Sequence, residues 1–543
     1  MDKLKVYYKK NKNNFKHLEI LNLENIQNYI PIYSKFFTLN DTNWNNINLD
    51  HLWSIQTTQS NIKNNSYQCI LSKQEETIEK PVFFKFSPLV DPYKYVIGIY
   101  PLDNILNLPS LTNQSDCNNK IIDPNNSGYT DGFFYYLSSK LLNEYQFVHG
   151  IDFYGSYLGV KNNFQFNVYD DFEYVKNDSH VIKNYNKLFH FNEELGQIFF
   201  RDSKTSKPNL TIDEESKIDL PITDLEHLNV SSFTPLELVD ITNTFKCENS
   251  DETIEDSQSE CSIDTDDSNT VSDGTHESIE DDDEPYDDSD LETESYKSED
   301  DIVNMTIYKL PVHVIAIEKC KYTLDHLINN DLPDKELISA LFQVIMILLT
   351  YQKVFDFTHN DLHTNNIMFI ETNEKFLYYC YENIHYKVPT YGKIFKIIDF
   401  GRSIYSYNGI QIVSDSFGPN GDAKTQYNIP PYVIESKPLL YPNYSFDLCR
   451  LGCSLYDIFE PNDNSKVKKL IDEWCKDDKG RNILYKKNGE ERYPDFKLYK
   501  MIARTVHQHT PKQQLTNDIF KSFITDKPNK KEMNIDLYPS FSK

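Results

Sequence analysis

From His51 the chain falls into short apolar runs set between polar turns. Leu52–Thr58, Tyr67–Ser72 and Pro81–Phe86 are β-prone and of strand length. A polar stretch with Pro and Asn clusters then runs to about Gly128. Beyond it Phe134, Leu137, Leu141 and Leu142 fall near helical spacing and predict a helix over Phe133–Tyr145. Phe147–Val160 is strand-like again and carries Gly150 and Gly155. The pattern breaks from residue 161 to about 305, with some helix expected around Phe191–Arg201. It resumes with an apolar strand at Val312–Ile317 and a short helix starting near Thr323. A strongly apolar helix follows over Asp334–Phe355, with Asp334 after Pro333 as its cap. The β-prone runs Ile367–Ile370 and Ile394–Ile398 precede a mostly helical stretch to about Ser522. Residues before His51 mix polar and aromatic positions, and the pattern assigns them no role.

Charge changes this picture in one place. Of the formal net charge of −28, a balance of −23 lies between Glu248 and Asp301, where 24 acidic residues face a single base, Lys297. That Asp/Glu/Ser/Thr segment has almost no large apolar side chains. It cannot bury enough surface to offset the entropy of ordering, so disorder is expected over residues 248–302. No long basic stretch occurs, which argues against nucleic acid as a partner. The nine cysteines are scattered without a CxxC pair and read as free thiols of a reducing compartment. Cys449 and Cys453 lie four apart on an expected helix, with no nearby His or Cys to complete a metal site. The longest apolar stretch, Leu337–Thr350, contains Ser339 and Gln343 and is too short to span a bilayer. The polar start Met1-Asp2-Lys3 has no signal-peptide core, so a soluble, intracellular protein away from membranes is expected. The length of 543 residues implies two or more structural units, and the bias toward Asn, Ile, Lys and Tyr suits an AT-rich genome.

Chemistry gathers after the long helix. His359-Asn360-Asp361-Leu362-His363-Thr364-Asn365-Asn366 is a polar loop leading into Ile367–Ile370, and Ile394–Ile398 delivers Asp399-Phe400-Gly401. Phosphoryl transfer needs a carboxylate beside the attacking hydroxyl and oxygen ligands for magnesium. Asp361 suits the first need. Asn366 on the same loop and Asp399 suit the second, with Gly401 keeping the turn flexible. Either motif alone arises often by chance. Both in this order, flanked by the expected helix and strands, resemble the protein-kinase superfamily. The form HxDLHxxN resembles haspin-type and some giant-virus kinases, and also aminoglycoside and choline phosphotransferases.

The resemblance implies an α+β, bilobal kinase-like fold. Its small β-rich lobe would take residues 50–160 and the strand 306–318, and its larger helical lobe residues 319–525. Residues 161–305 would be an insertion in the small lobe, 1–49 an extension and 526–543 a tail. The resemblance also implies roles. Lys85, in Val82-Phe83-Phe84-Lys85, would grip the α- and β-phosphates of ATP. Ile317 would be the gatekeeper, before a hinge Glu318-Lys319-Cys320 whose backbone bonds adenine, with Thr323–Leu327 as the helix beyond it. Asp361 would be the base, and Asn366 and Asp399 would hold Mg²⁺, supported by His359, His363 and Gly401. Asp447, in Asp447-Leu448-Cys449-Arg450-Leu451-Gly452, would brace the catalytic loop from behind. Glu435 stands where the family has the Glu of Ala-Pro-Glu.

Four positions depart from the family pattern. The hairpin Ser54–Leu71 contains no Gly, so its amides would approach phosphate less closely. The acidic partner of Lys85 is open between Asp131 and Glu144. Asn360 replaces the Arg before the catalytic Asp, which leaves the pocket for an activation-loop phosphate incomplete, so activity is expected without phosphorylation between Arg402 and Glu435. His363 replaces the usual Lys. The activity expected is transfer of the γ-phosphate of Mg·ATP to Ser/Thr hydroxyls of a protein substrate. A pseudokinase scaffold is the alternative, and a small-molecule phosphotransferase the third reading. Ser278, Ser289 and Ser298 each have an acidic residue three positions on and suit an acidophilic kinase. The acidic insert reads either as an arm for a basic partner or as a solvated spacer. A giant-virus source would place the protein in the host cytoplasm or the virion.

Overall fold

Two faces of alternating side chains organise the first half of the chain. In this computed structural model, which describes residues 8–10, 15–112, 114–168, 175, 178–191, 304–460 and 463–543, the β-prone runs form one antiparallel sheet of seven strands. Its order is Leu23–Gln27, Phe153–Asn167, Asn304–Glu318, Glu76–Pro88, Ser66–Lys73 and Ser54–Lys63, with Phe189–Phe191 beside the first part of Asn304–Glu318. Successive side chains on a strand point to opposite faces. Val82 and Phe84, with Val312, Val314 and Ala316, enter a core that Leu18 and Leu21 cover from a short 3-10 helix, Lys16–Leu21. Lys85 therefore points the other way, toward the helix Ser127–Tyr145, as Leu310, Ile315 and Ile317 join the larger core.

Residues before His51, left without a role by the pattern, contribute this cover and the strand Leu23–Gln27. The strand beyond Phe147 starts at Phe153, and it runs past residue 160 to Asn167 because Asn304–Glu318 pairs along it down to Asn304. The acidic segment 248–302, the helix expected around Phe191–Arg201 and Ser278, Ser289 and Ser298 lie outside the described residues, apart from Phe191, which ends the strand Phe189–Phe191.

The second half carries a long helix, but the stretch expected to be mostly helical to Ser522 mixes short helices, strand pairs and irregular chain. Asp334–Phe355 starts as expected, but Pro333 occupies the cap position and Asp334 the first turn. By length and composition this helix could cross a membrane, yet 83% of its most apolar stretch is buried within the fold. Its polar residues are satisfied there: Ser339 Oγ donates to the Pro389 carbonyl, and Gln343 accepts from the Phe395 N–H at 3.0 Å. Around it lie the antiparallel pair Ile367–Glu371 and Lys393–Ile397 and the helices Phe446–Leu455, Lys466–Trp474 and Lys497–Thr505. A hairpin, Phe376–Tyr381 with Ile384–Pro389, takes Ile524–Thr525 and Met533–Asn534 on its two edges. The segment expected as a tail is thus part of a sheet, and it buries Ile535 and Phe541. The whole is a mixed α+β fold.

Candidate active site

Asp-Phe-Gly closes the strand Lys393–Ile397, and its backbone explains its reach. Asp399 has φ 63°, a left-handed conformation that Asp tolerates through its short polar side chain. The neighbouring Phe400 is buried against Phe134, Tyr135, Phe357 and His359, with ring centroids 4.6 Å from Phe134 and 4.8 Å from Tyr135. Its amide donates to Asp131 Oδ1 at 2.7 Å. Lys85 Nζ lies 2.8 Å from Asp131 Oδ2 and 2.7 Å from Asp399 Oδ1. The helix acid beside Lys85 is therefore Asp131. Glu144 pairs instead with Lys140 one turn back.

An Asp is one methylene shorter than a Glu, so the helix must come close to the sheet for this contact. Gly132 permits it: a Cβ there would sit 2.2 Å from His313 Cε1, and His313 is fixed by its Nδ1 bond to the Gly128 carbonyl at 2.7 Å. Burial works against the Lys85 charge, but Asp131 and Asp399 outweigh it and hold its pKa well above the usual range. Burial pushes Asp131 up. It pushes Asp399 up as well, but Lys85 overrides it and holds Asp399 at about 2.

The loop His359–Asn366 is braced from below. Asp447, fully buried on the helix Phe446–Leu455, accepts the backbone N–H groups of His359 at 2.9 Å and Asn360 at 2.8 Å. His359 Nε2 donates to the Ile398 carbonyl at 2.9 Å and Nδ1 accepts from the Asp361 N–H at 3.3 Å, which ties the loop to the Asp399 strand. Asn360 has φ 65°, which suits Asn. Its side chain donates to the Arg402 carbonyl at 3.0 Å and accepts from Tyr427 at 2.8 Å, so it staples the loop to the chain beyond Gly401.

Asn366 Nδ2 donates to the Asp361 carbonyl at 2.9 Å and to His363 Nε2 at 3.0 Å, which leaves Oδ1 as the oxygen it can offer a cation. Burial lowers the His363 pKa to about 4, so the ring is neutral and carries its proton on Nδ1. Burial also disfavours the Asp361 charge, but Arg402, Arg450 and a hydrogen bond from Tyr499 together hold its pKa below the usual value.

The expected adenine side has a different character. Ile317 is buried in the sheet. Glu318 turns its carboxylate inward to the buried Lys396, and its N–H donates to the Asp152 carbonyl at 2.9 Å. Its side chain thus ties the end of the sheet to the Asp399 strand, and Cys320 is buried two residues on. The glycine-free hairpin turns at Asn64 and Asn65, both at positive φ (46° and 57°), a two-residue turn that Asn can make in place of Gly. Three register shifts interrupt the pairing of Ser54–Lys63 with Ser66–Lys73. Glu435 is exposed.

Several contacts carry no motif. Arg402 pairs with Asp422 at 2.5 Å and reaches Asp361 at 3.3 Å. Asp415 accepts from Lys120 Nζ at 2.7 Å and from the Ser127 N–H at 2.8 Å, which anchors the start of the Asp131 helix. Tyr499 donates to Asp361 Oδ1 at 2.8 Å. Gly132 signals only the close approach of the Asp131 helix, since a helix-interior Gly costs about 1 kcal/mol against Ala and calls for a packing reason. Apart from this site, Cys380, His385 and Glu532 bring ligand-type atoms within 4.8 Å of one another. The His385–Glu532 bond of 2.8 Å and the contact of Cys380 with Asp536 account for that grouping without a metal.

No protein-family model matches this chain, and no curated protein matches it.

Proposed function

We propose that this chain is a phosphotransferase of the protein-kinase type, with a bilobal fold, moving the γ-phosphoryl group of Mg·ATP to Ser/Thr hydroxyls of a protein substrate. The observation that carries the reading is Lys85 held between Asp131 and Asp399, at 2.8 and 2.7 Å, with His359 tying the Asp361 loop to the Ile398 carbonyl beside Asp399. A lysine so pinned is a preorganised cation for phosphate oxygens and needs no rearrangement to receive them. Asp399 and Asn366 Oδ1 are hard oxygen donors of the kind magnesium prefers. Bound there, the ion would neutralise charge developing on the phosphate oxygens. Asp361, ionised at neutral pH, would accept the hydroxyl proton of the acceptor. Adenine would lie against Ile317, with the Glu318 carbonyl and the backbone at Cys320 as its partners.

A binding protein without turnover is the second reading. The glycine-free hairpin and an Asp361 whose two oxygens already face Tyr499 and Arg402 favour it. Transfer of radiolabel from Mg·ATP by the wild-type chain, lost in Asp399→Asn, separates the two. The resemblance to small-molecule phosphotransferases rests on Asp361-Leu362-His363 alone.

A further inference from the structure

We propose that Tyr499 is a positioning residue for Asp361, and that Arg402 and Arg450 supply the positive charge at this carboxylate that a loop lysine would otherwise bring. The inference rests on Asp361 being the base of the reaction proposed above. Tyr499 lies on the helix Lys497–Thr505, 138 residues from Asp361, and its hydroxyl donates to Asp361 Oδ1 at 2.8 Å. The same hydroxyl accepts from Arg450 Nε at 2.8 Å, so it is oriented from behind. Arg450 stands 5.0 Å and Arg402 5.8 Å from the centre of the Tyr499 ring, which packs against both guanidinium groups. Arg402 faces the second oxygen at 3.3 Å.

Five charged or titratable groups face or flank Asp361: Tyr499, Arg402 and Arg450 from outside the loop, and His359 and His363 within it. Asp447 lies behind. His363, at the usual lysine position, has its Nε2 held by Asn366. A carboxylate has about four lone-pair sites; Tyr499 fills one of them and the Arg402 guanidinium lies beside the second oxygen. One orientation of Asp361 is thereby selected while a lone pair stays open to an acceptor hydroxyl.

The test uses the full chain and Tyr499→Phe, which keeps the ring and loses the donor. Phosphoryl transfer should fall about 10- to 100-fold in kcat, the range of a hydrogen bond to a charged group, with KM for ATP within about twofold. The acid limb of the pH–rate profile should move up, because Asp361 loses a stabilising donor. An unchanged kcat and an unmoved acid limb would overturn the proposal. A second readout needs no turnover: the 19F resonance of 3-fluorotyrosine placed at 499 should shift on Asp361→Asn, and no shift would refute the contact. If label transfer is absent from the wild type while the 19F shift appears, the reading of the site as an enzyme fails, and with it the positioning of a base, but the Tyr499–Asp361 contact stands.

Discussion

The two carboxylate clusters of the site are built on opposite plans. Around Lys85, three charged side chains lock together: the sheet brings Lys85, one helix brings Asp131, and one strand end brings Asp399. Around Asp361, the partners are a tyrosine and two arginines from the chain beyond Gly401, Arg450 and Tyr499 lying on late helices. The first cluster depends on how close a helix stands to a sheet; the second depends on hydrogen bonds that select one orientation of a loop carboxylate. The Lys85 cluster, proposed to take the nucleotide, should therefore be sensitive to packing, and the Asp361 cluster, proposed to take the acceptor, to single donors and to pH.

The largest effect expected from this contrast comes from Asp131→Asn. It leaves Lys85 with Asp399 alone and should lower kcat/KM for ATP about 100-fold, the scale of one lost electrostatic contact in a preorganised site. Stability should fall by about 3 kcal/mol, as when one partner of a buried pair is removed. Steady-state kinetics with a urea titration would check both. A loss in kcat/KM for ATP below about tenfold would erase the distinction between the clusters.

Gly132→Ala should act more mildly. Its Cβ meets His313, the helix retreats from the sheet, and kcat/KM should fall about tenfold through misplacement of Asp131. Adding His313→Ala should recover much of the loss, whereas additive losses would show that close approach is not what Gly132 provides.

The response to pH is read in stability and not in turnover. Burial lowers His17, His313 and His363 to about 4 and His149 to about 3, so the fold holds these rings neutral. In the unfolded chain they titrate near the usual value of about 6.5. Below that pH the unfolded state takes up protons that the folded state does not, so stability is present above about 6.5 and is lost as pH falls toward 4. Each ring contributes about 1.4 kcal/mol per pH unit across that window. The urea midpoint should drop between pH 7.5 and pH 5, and a flat profile would contradict the buried, neutral assignment.

What could be read from the sequence follows the same division. The apolar runs located the sheet strands and the long helix because a period of two and a period near 3.6 are local properties. Asp361, Asn366 and Asp399 stood out because their order and spacing along the chain are themselves the signal, and Lys85 followed only from the resemblance they carry. Asp131 did not, since its distance from Lys85 is set by Gly132 against His313, a contact between residues 181 apart that no local pattern encodes. Tyr499 is the extreme case, a tyrosine in an ordinary amphipathic helix. The early segment was opaque for a related reason: Leu18 and Leu21 become core residues only because the sheet offers them an open face.

The most direct test of the account is label transfer from radiolabelled Mg·ATP to the chain itself and to a generic basic protein, compared between wild type and Asp399→Asn. The account predicts Mg²⁺-dependent incorporation by the wild type, and a loss of at least about a thousandfold in the variant, since both the Lys85 contact and a magnesium ligand disappear. No incorporation by the wild type, or equal incorporation by both proteins, would contradict it.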